Sequence, residues 1–243
     1  MEKSAVIALV FLAALASIAI GQEIEMKPEE TEAWDFVPPK VTPGTNDRAP
    51  SDAIILDPLA WQSIDGGENP WDVEDGVMTI KPGTKDIRTK KAFGNIQLHV
   101  EWRTPNLGGS SEGQDRGNSG VFLQQFYEVQ VLDSHGGITY GNGQAGSIYK
   151  QYPPLVNATK PMMEWQTYDI IYTAPQFDKG GNVTSPASMT VLHNGIVVQN
   201  NSILKGPSVF IGYPRYQPHG DLPIYLQDHD HKVSYRNIWL REL

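Results

Sequence analysis

The residues best equipped for chemistry lie in one stretch, Gly117 to Ser134, which reads GNSGVFLQQFYEVQVLDS. From Tyr127 onward, Tyr127, Val129 and Val131 alternate with Glu128, Gln130 and Leu132. That period of two predicts a half-buried strand with Glu128 and Gln130 on one face. Asp133 has the wrong parity to join them, and a β-bulge after Gln130 would swing it round. Two carboxylates held across one sheet face are the minimum equipment for acid–base work on a sugar. Just upstream, Asp115–Ser119 (DRGNS) forms a polar turn that places Asn118 at the mouth of the strand pair. Loops set on a rigid sheet are where binding groups concentrate. The bland alternative is that polar residues alternating with valine are only the solvent side of a sheet.

Two other places carry reactive side chains. In Ile96–Thr104, Ile96, Leu98, Val100 and Trp102 alternate with Gln97, His99, Glu101 and Arg103. Water on the polar set is the simple reading. The functional one puts Arg103 beside Glu128, where its fork would give two parallel hydrogen bonds to sugar hydroxyls or an enolate oxygen. Near the C-terminus stands Asp228-His229-Asp230-His231. Histidine with carboxylate suits several divalent metals. Two histidines one residue apart face opposite ways on a strand, so joint ligation requires a turn. A hydrogen-bonded surface turn or a catalytic His229 are the competing readings. His99, His193 and His219 read as structural.

These groups need strands to hold them. The hydrophobic pattern predicts Ala53–Leu56, Asp86–Lys90, Ile96–Thr104, Ser119–Gln124, Tyr127–Asp133, Glu164–Tyr172, Ile224–Gln227 and Val233–Leu240 as strands. Hairpins are predicted about Glu74-Asp75-Gly76 and about His193-Asn194-Gly195, where Asn-Gly supplies the positive φ of a tight turn. The Gly-rich His135–Gly146 reads as one wall of a cleft, followed by a short strand at Ser147–Tyr149. It is no phosphate cradle, because neither Lys-Ser/Thr nor a helix follows it. Phe177–Pro186 reads as a polar loop.

The 243 residues include 23 Gly and 18 Pro, which with little helical periodicity points to an all-β sandwich or barrel. Residues 1–21 read as a secretory signal: Lys3, then the apolar Ala5–Ile20, then small residues before Gln22. The run is short for a spanning helix, so no membrane span is expected after cleavage, and the location is secreted or periplasmic. Residues 22–51 form an acidic, Pro-rich lead-in, and 52–243 form the domain. Cleavage leaves the net charge at −9, which argues against nucleic acid and anionic membrane as partners. There is no cysteine, so the core alone must hold the domain together. Nothing in the sequence sets the oligomeric state.

Taken in order, WDVEDGVMTI, the GNSGVFL…YEVQVLDS hairpin, GSIY, EWQTYDI, LHNG and the closing LQDH…NIWLREL resemble the 3-keto-disaccharide hydrolase family over about Ser51 to Leu243. Two departures are Asp230-His231 and Ser234-Tyr235, where the family carries other pairs. The resemblance implies a concanavalin A-like jelly-roll sandwich of two antiparallel sheets. It also implies action on glycosides whose C3 hydroxyl has become a ketone. A C3 ketone acidifies the proton on C2, and its removal lets the group on C1 leave, so the reaction needs a base, donors at the keto oxygen and an acid. The residues expected to serve it are Glu128, His229 and Asp133 as catalytic groups. Arg103, Asn118, Gln130, Tyr149, Gln227 and Asp228 are expected to bind substrate, and Trp165 is a further stacking candidate. A non-catalytic carbohydrate-binding module and a retaining glycosidase using Glu128 and Asp133 are the alternatives. The latter would hold its carboxylates about 5–5.5 Å apart.

Overall fold

The alternation in Ile96–Arg103 builds the central strand of the larger sheet, burying Ile96, Leu98, Val100 and Trp102. A computed structural model describes residues 26–45, 48–108 and 111–243; the expected signal at 1–21 lies outside the described residues. The strands in chain order are β1 (Ile54–Ile55), β2 (Trp61–Ser63), β3 (Asp72–Glu74), β4 (Val77–Thr79), β5 (Ile87–Phe93), β6 (Ile96–Arg103), β7 (Ser119–Leu123) and β8 (Tyr127–Val131). There follow β9 (Gln166–Thr173), β10 (Gln176–Phe177), β11 (Val183–Ser185), β12 (Ser188–His193), β13 (Ile196–Ile203), β14 (Leu222–Leu226) and β15 (Ser234–Glu242).

Two antiparallel sheets form the sandwich. The larger runs β13-β12-β9-β6-β15-β4-β3, with β1 added along β15. β15 takes both β4 and β1 on one edge because its register shifts between Arg236 and Trp239, where Asn237 has φ 45°. The smaller runs β2-β5-β14-β7-β8. Between the sheets lies one core in which Trp61, Trp102, Tyr127, Tyr168, Tyr172 and Tyr235 are fully buried. Val41–Leu243 makes one compact unit and Met1–Lys40 another. Among the described residues no helix is long and apolar enough to cross a membrane.

Both expected hairpins are present. Asp75 and Gly76 have φ of 49° and 78°, and Asn194 and Gly195 have 52° and 79°, as such turns require. Phe177–Pro186 differs from the expected loop: β10 and β11 pair there as a small hairpin, stabilised at its turn by Asp178, whose Oδ1 accepts from the Gly180 and Asn182 amides. Ser147–Tyr149 forms no strand, only isolated bridges from Ile148 to Val129 and to Tyr152, although its backbone does lie along β8.

Candidate active site

β7 and β8 are bonded in unbroken register, pairing Gly120 with Gln130 and Phe122 with Glu128. Tyr127, Val129 and Val131 enter the core, so Glu128 and Gln130 stand on the sheet's other face. Three tyrosines of the larger sheet grip this hairpin from beneath. Tyr168 donates to the Gln130 carbonyl at 2.6 Å, Tyr172 donates to Gln124 Oε1 at 2.8 Å, and Tyr235 shares a 2.7 Å bond with Ser119.

Two loops then roof the polar face. Gly146 to Tyr149 lies along β8: Gly146 donates to the Gln130 carbonyl, Gln130 to Ser147, and Tyr149 to Glu128, at 3.0, 3.0 and 3.2 Å. This places Tyr149 beside Glu128. The Gln151 amide ties down the second loop, donating to the Gly206 carbonyl and accepting from Lys205 N–H, both at 2.8 Å. Ser208 donates its N–H to the Phe126 carbonyl at 2.7 Å, and its hydroxyl accepts from Glu128 N–H at 3.1 Å. From below, the Gln227 N–H donates to the Gly120 carbonyl at 3.1 Å, so the chain after β14 runs past the hairpin.

The result is a cavity of about 260 Å³ lined by Asn118, Phe122, Glu128, Gln130, Tyr149, Ser208, Phe210, Gln227 and His229. Glu128 is 5 % exposed, and its carboxyl has no hydrogen-bond partner among the described residues. Burial pushes its pKa up to about 8. The carboxyl leans across the neighbouring strand, over Gly120, where any Cβ would sit 2.7 Å from Oε1. Gln130 spends its amide hydrogens on Asn118 Oδ1 at 2.8 Å and on the Val131 and Ser119 carbonyls, which leaves Oε1 as an acceptor. Asn118 donates one N–H to the Gln114 carbonyl at 2.9 Å and keeps the other. The Gln227 amide has no bond of its own among the described residues. Tyr149 shares a 2.9 Å bond with Tyr140, and burial together with that bond holds its phenol pKa up. Lys150 caps the Tyr140 ring at 4.1 Å.

Thus Asn118, Glu128, Gln130, Tyr149, Gln227 and His229 converge. Arg103, Asp133, Asp228 and Trp165 do not. Arg103 belongs to β6 of the other sheet, so it cannot stand beside Glu128; its guanidinium lies over Trp165 at 4.6 Å. Trp165 is held between that group and Arg236, at 4.0 Å, and is neither in the lining of the Glu128 cavity nor in the core. No bulge follows Gln130. β8 ends at Val131, and the buried Asp133 is paired with Arg116 while its Oδ1 accepts from His135 N–H at 3.2 Å. Asp133 is therefore a loop anchor outside the cavity, which removes the second carboxylate that a retaining glycosidase would use. The Asp228 carboxylate builds its own turn, accepting from Lys85 N–H at 3.2 Å and Asp230 N–H at 3.0 Å.

Asp230, at φ 60°, makes the turn that brings the His229 and His231 rings nearly parallel, 6.1 Å apart. His231 is engaged with Asp115 at 3.0 Å. Among the described residues no three His, Asp, Glu or Cys side chains gather as a metal set. The sequence reading missed Phe122, Ser208 and Phe210. Phe122 was recoverable, since hairpin register sets it opposite Glu128; the other two come from a Gly- and Pro-rich loop without periodicity.

A larger cavity of about 570 Å³ opens on the outer face of the eight-stranded sheet, lined in part by His99, Glu101, Asp169 and Arg241. Its charges already satisfy one another or close neighbours. His99 is bonded to Asp169 at 2.7 Å, Glu101 to Arg236 and Asn237 at 2.6 and 2.8 Å, and Arg241 to Asp52 at 2.7 Å. Glu128, by contrast, is buried with its carboxyl unpaired, which makes the smaller cavity the candidate site.

Comparisons with known proteins support a glycoside-acting enzyme of the hydrolase class. Residues 57–241 match the family model described as the 3-keto-alpha-glucoside-1,2-lyase-like domain, and the chain belongs to that family. It is similar, at 48% identity and a TM-score of 0.84, to the crystal structure of a candidate glycosyl hydrolase from Parabacteroides distasonis ATCC 8503, covering 90% of this chain and 97% of that one. Two other candidate glycosyl hydrolases from that organism share the fold. They show 22% and 21% identity and TM-scores of 0.56 and 0.51, and cover 79% and 75% of this chain and 94% and 99% of theirs. No curated protein matches the chain.

Proposed function

We propose that this protein cleaves 3-keto-glycosides by removing the C2 proton, with Glu128 as the base. The observation that carries the reading is the Glu128 carboxyl, buried and unpaired in a cavity rimmed by amides, with a pKa near 8. Desolvation makes this carboxylate a far stronger base than one in water, and brings its pKa near the working pH.

The sequence of events follows from the ketone. Glu128 takes the C2 proton, and the electron pair moves into the C3 carbonyl as an enolate. The Gln227 amide and the second Asn118 N–H are the donors placed to hold that oxygen. The enolate collapses to re-form the ketone and a C1–C2 double bond, and the C1–O bond breaks. The departing oxygen takes a proton from His229. Water added across C1–C2 then completes a net hydrolysis; without it the product is the unsaturated ketone. The expected leader would put this reaction outside the cytoplasm.

The test uses a 3-keto-glucoside and its unoxidised parent, incubated with the protein in D₂O. Release of the aglycone from the keto form alone, with deuterium at C2 of recovered substrate or hydrated product, is the expected result. Glu128→Gln should lower turnover about 10²–10⁴-fold while circular dichroism stays unchanged. Equal cleavage of both glycosides, or binding without cleavage, would overturn the reading.

A further inference from the structure

Among the described residues the Arg88 side chain, on the face of the small sheet that carries Glu128, has no hydrogen-bond or ion-pair partner. Register across β5, β14, β7 and β8 sets Arg88, Tyr225, Phe122 and Glu128 in one row. Ile87 and Thr89, on either side of Arg88, are buried in the core, as are Ile224 and Leu226 beside Tyr225. All four row members therefore project from the same face. The Phe122 and Tyr225 rings are in contact, 4.7 Å apart, and form a continuous aromatic step between the two charged ends.

Arg88 makes no side-chain hydrogen bond or ion pair among the described residues, and its Nε is buried without a partner. An unpaired buried donor is costly, roughly 1–3 kcal/mol, so such a group calls for a reason. Lys85 and Lys91, nearby in sequence, are each matched to an acid; Lys90 is bonded to none among the described residues but is exposed to water, whereas the Arg88 Nε is not. Arg88 lies three strand spacings from Glu128, about 14 Å along the row. The Glu128 cavity, at about 260 Å³, is below the usual span of small-molecule pockets, roughly 300–1,000 Å³, and encloses little more than one sugar ring. Whatever is attached to that ring must lie outside it, and beyond Phe122, which lines the cavity, the row continues over the half-buried Tyr225 ring to a guanidinium.

We propose that Arg88 binds the second sugar of a 3-keto-disaccharide, its fork donating to neighbouring hydroxyls while that sugar rests on Tyr225. The assignment rests on the function proposed above and adds to it a specificity residue remote from the proton transfer. Arginine suits the task because its planar donors are fixed in a pair, which a lysine cannot reproduce.

The experiment compares a 3-keto-disaccharide with the methyl 3-keto-glucoside on wild type, Arg88→Ala and Arg88→Lys. Arg88→Ala is expected to raise KM for the disaccharide at least tenfold, with kcat and the methyl glycoside unaffected, and Arg88→Lys to recover only part of the loss. Thermal unfolding should show Arg88→Ala no less stable than wild type, because no native bond is removed and an unpaired buried donor is taken away. An equal loss on both substrates, or no loss on either, overturns the proposal. Calorimetric titration of the same two ligands into wild type and Arg88→Ala gives a readout that needs no turnover. A disaccharide preference that Arg88→Ala abolishes upholds the subsite even if neither ligand is cleaved, an outcome that would sink the function instead. Equal or absent binding sinks the subsite.

Discussion

Glu128 trades stability for reactivity, and pH should expose the trade. Its carboxyl titrates near 8 in the folded chain against 4.5 in the open chain, because burial penalises the charged form. Between those values the native state holds a proton that the unfolded state has released. Wild-type stability therefore falls as pH rises through that window, and the loss is complete above the folded value. Glu128→Gln keeps the shape and removes the charge. The variant is expected to unfold at a similar urea midpoint to wild type at pH 5, and to be more stable by on the order of 3 kcal/mol at pH 9. Urea titrations at the two pH values measure this, and a stability difference that does not grow with pH would contradict a buried, unpaired carboxyl. The same titration bears on catalysis: as a base Glu128 acts deprotonated, so the limb of kcat/KM that it governs should rise with pH through about 8.

At the scale of the element, the β7–β8 hairpin works because one of its residues has no side chain. Gly120 lies beneath the Glu128 carboxyl, and an added Cβ would meet Glu128 Oε1 at 2.7 Å and Phe122 Cε2 at 2.6 Å. Gly120→Ala should therefore displace the carboxyl and lower kcat at least tenfold, while stability falls by only about 1–3 kcal/mol. Steady-state kinetics with a thermal melt check it; an unaffected kcat would place the reactive carboxyl elsewhere. The sequence showed this hairpin, and its alternation correctly put Glu128 and Gln130 on one face. Alternation in β6 was equally clear, yet it says which side of a strand Arg103 occupies and nothing of which sheet the strand joins. The same limit hid Arg88, whose place in the row with Glu128 follows from the pairing of β5 with β14 and β14 with β7. Asp133 misled for a different reason. Its nearness in sequence suggested a bulge, but the ion pair with Arg116 is a stronger demand on a buried carboxylate than joining Glu128.

Across the whole molecule, the larger sheet serves the smaller by holding the β7–β8 hairpin at a fixed height through buried phenols. Tyr168 of β9 crosses the core to donate at 2.6 Å to the carbonyl of Gln130, whose neighbours on the strand are the core residues Val129 and Val131. The Gln130 carbonyl also accepts from Gly146, so one oxygen joins the large sheet, β8 and the loop that carries Tyr149. Full burial leaves the Tyr168 hydroxyl no water to turn to, and raises its pKa far above the ordinary tyrosine value, so it stays a neutral donor at every working pH. Tyr168→Phe deletes the hydroxyl while keeping the ring that packs on Trp102 and His193. The Gln130 carbonyl keeps its second donor, so the expected cost is about 1 kcal/mol of stability, the worth of one net hydrogen bond. The effect on turnover should be larger than that cost implies, a fall of severalfold in kcat with KM little changed, because the tether sets where Glu128 and Gln130 stand relative to Tyr149. Denaturant melts and steady-state kinetics on the same preparation separate the two effects. A variant that loses stability with full kcat would show that the hairpin keeps its position without the phenol, and that the inter-sheet tether supports folding alone.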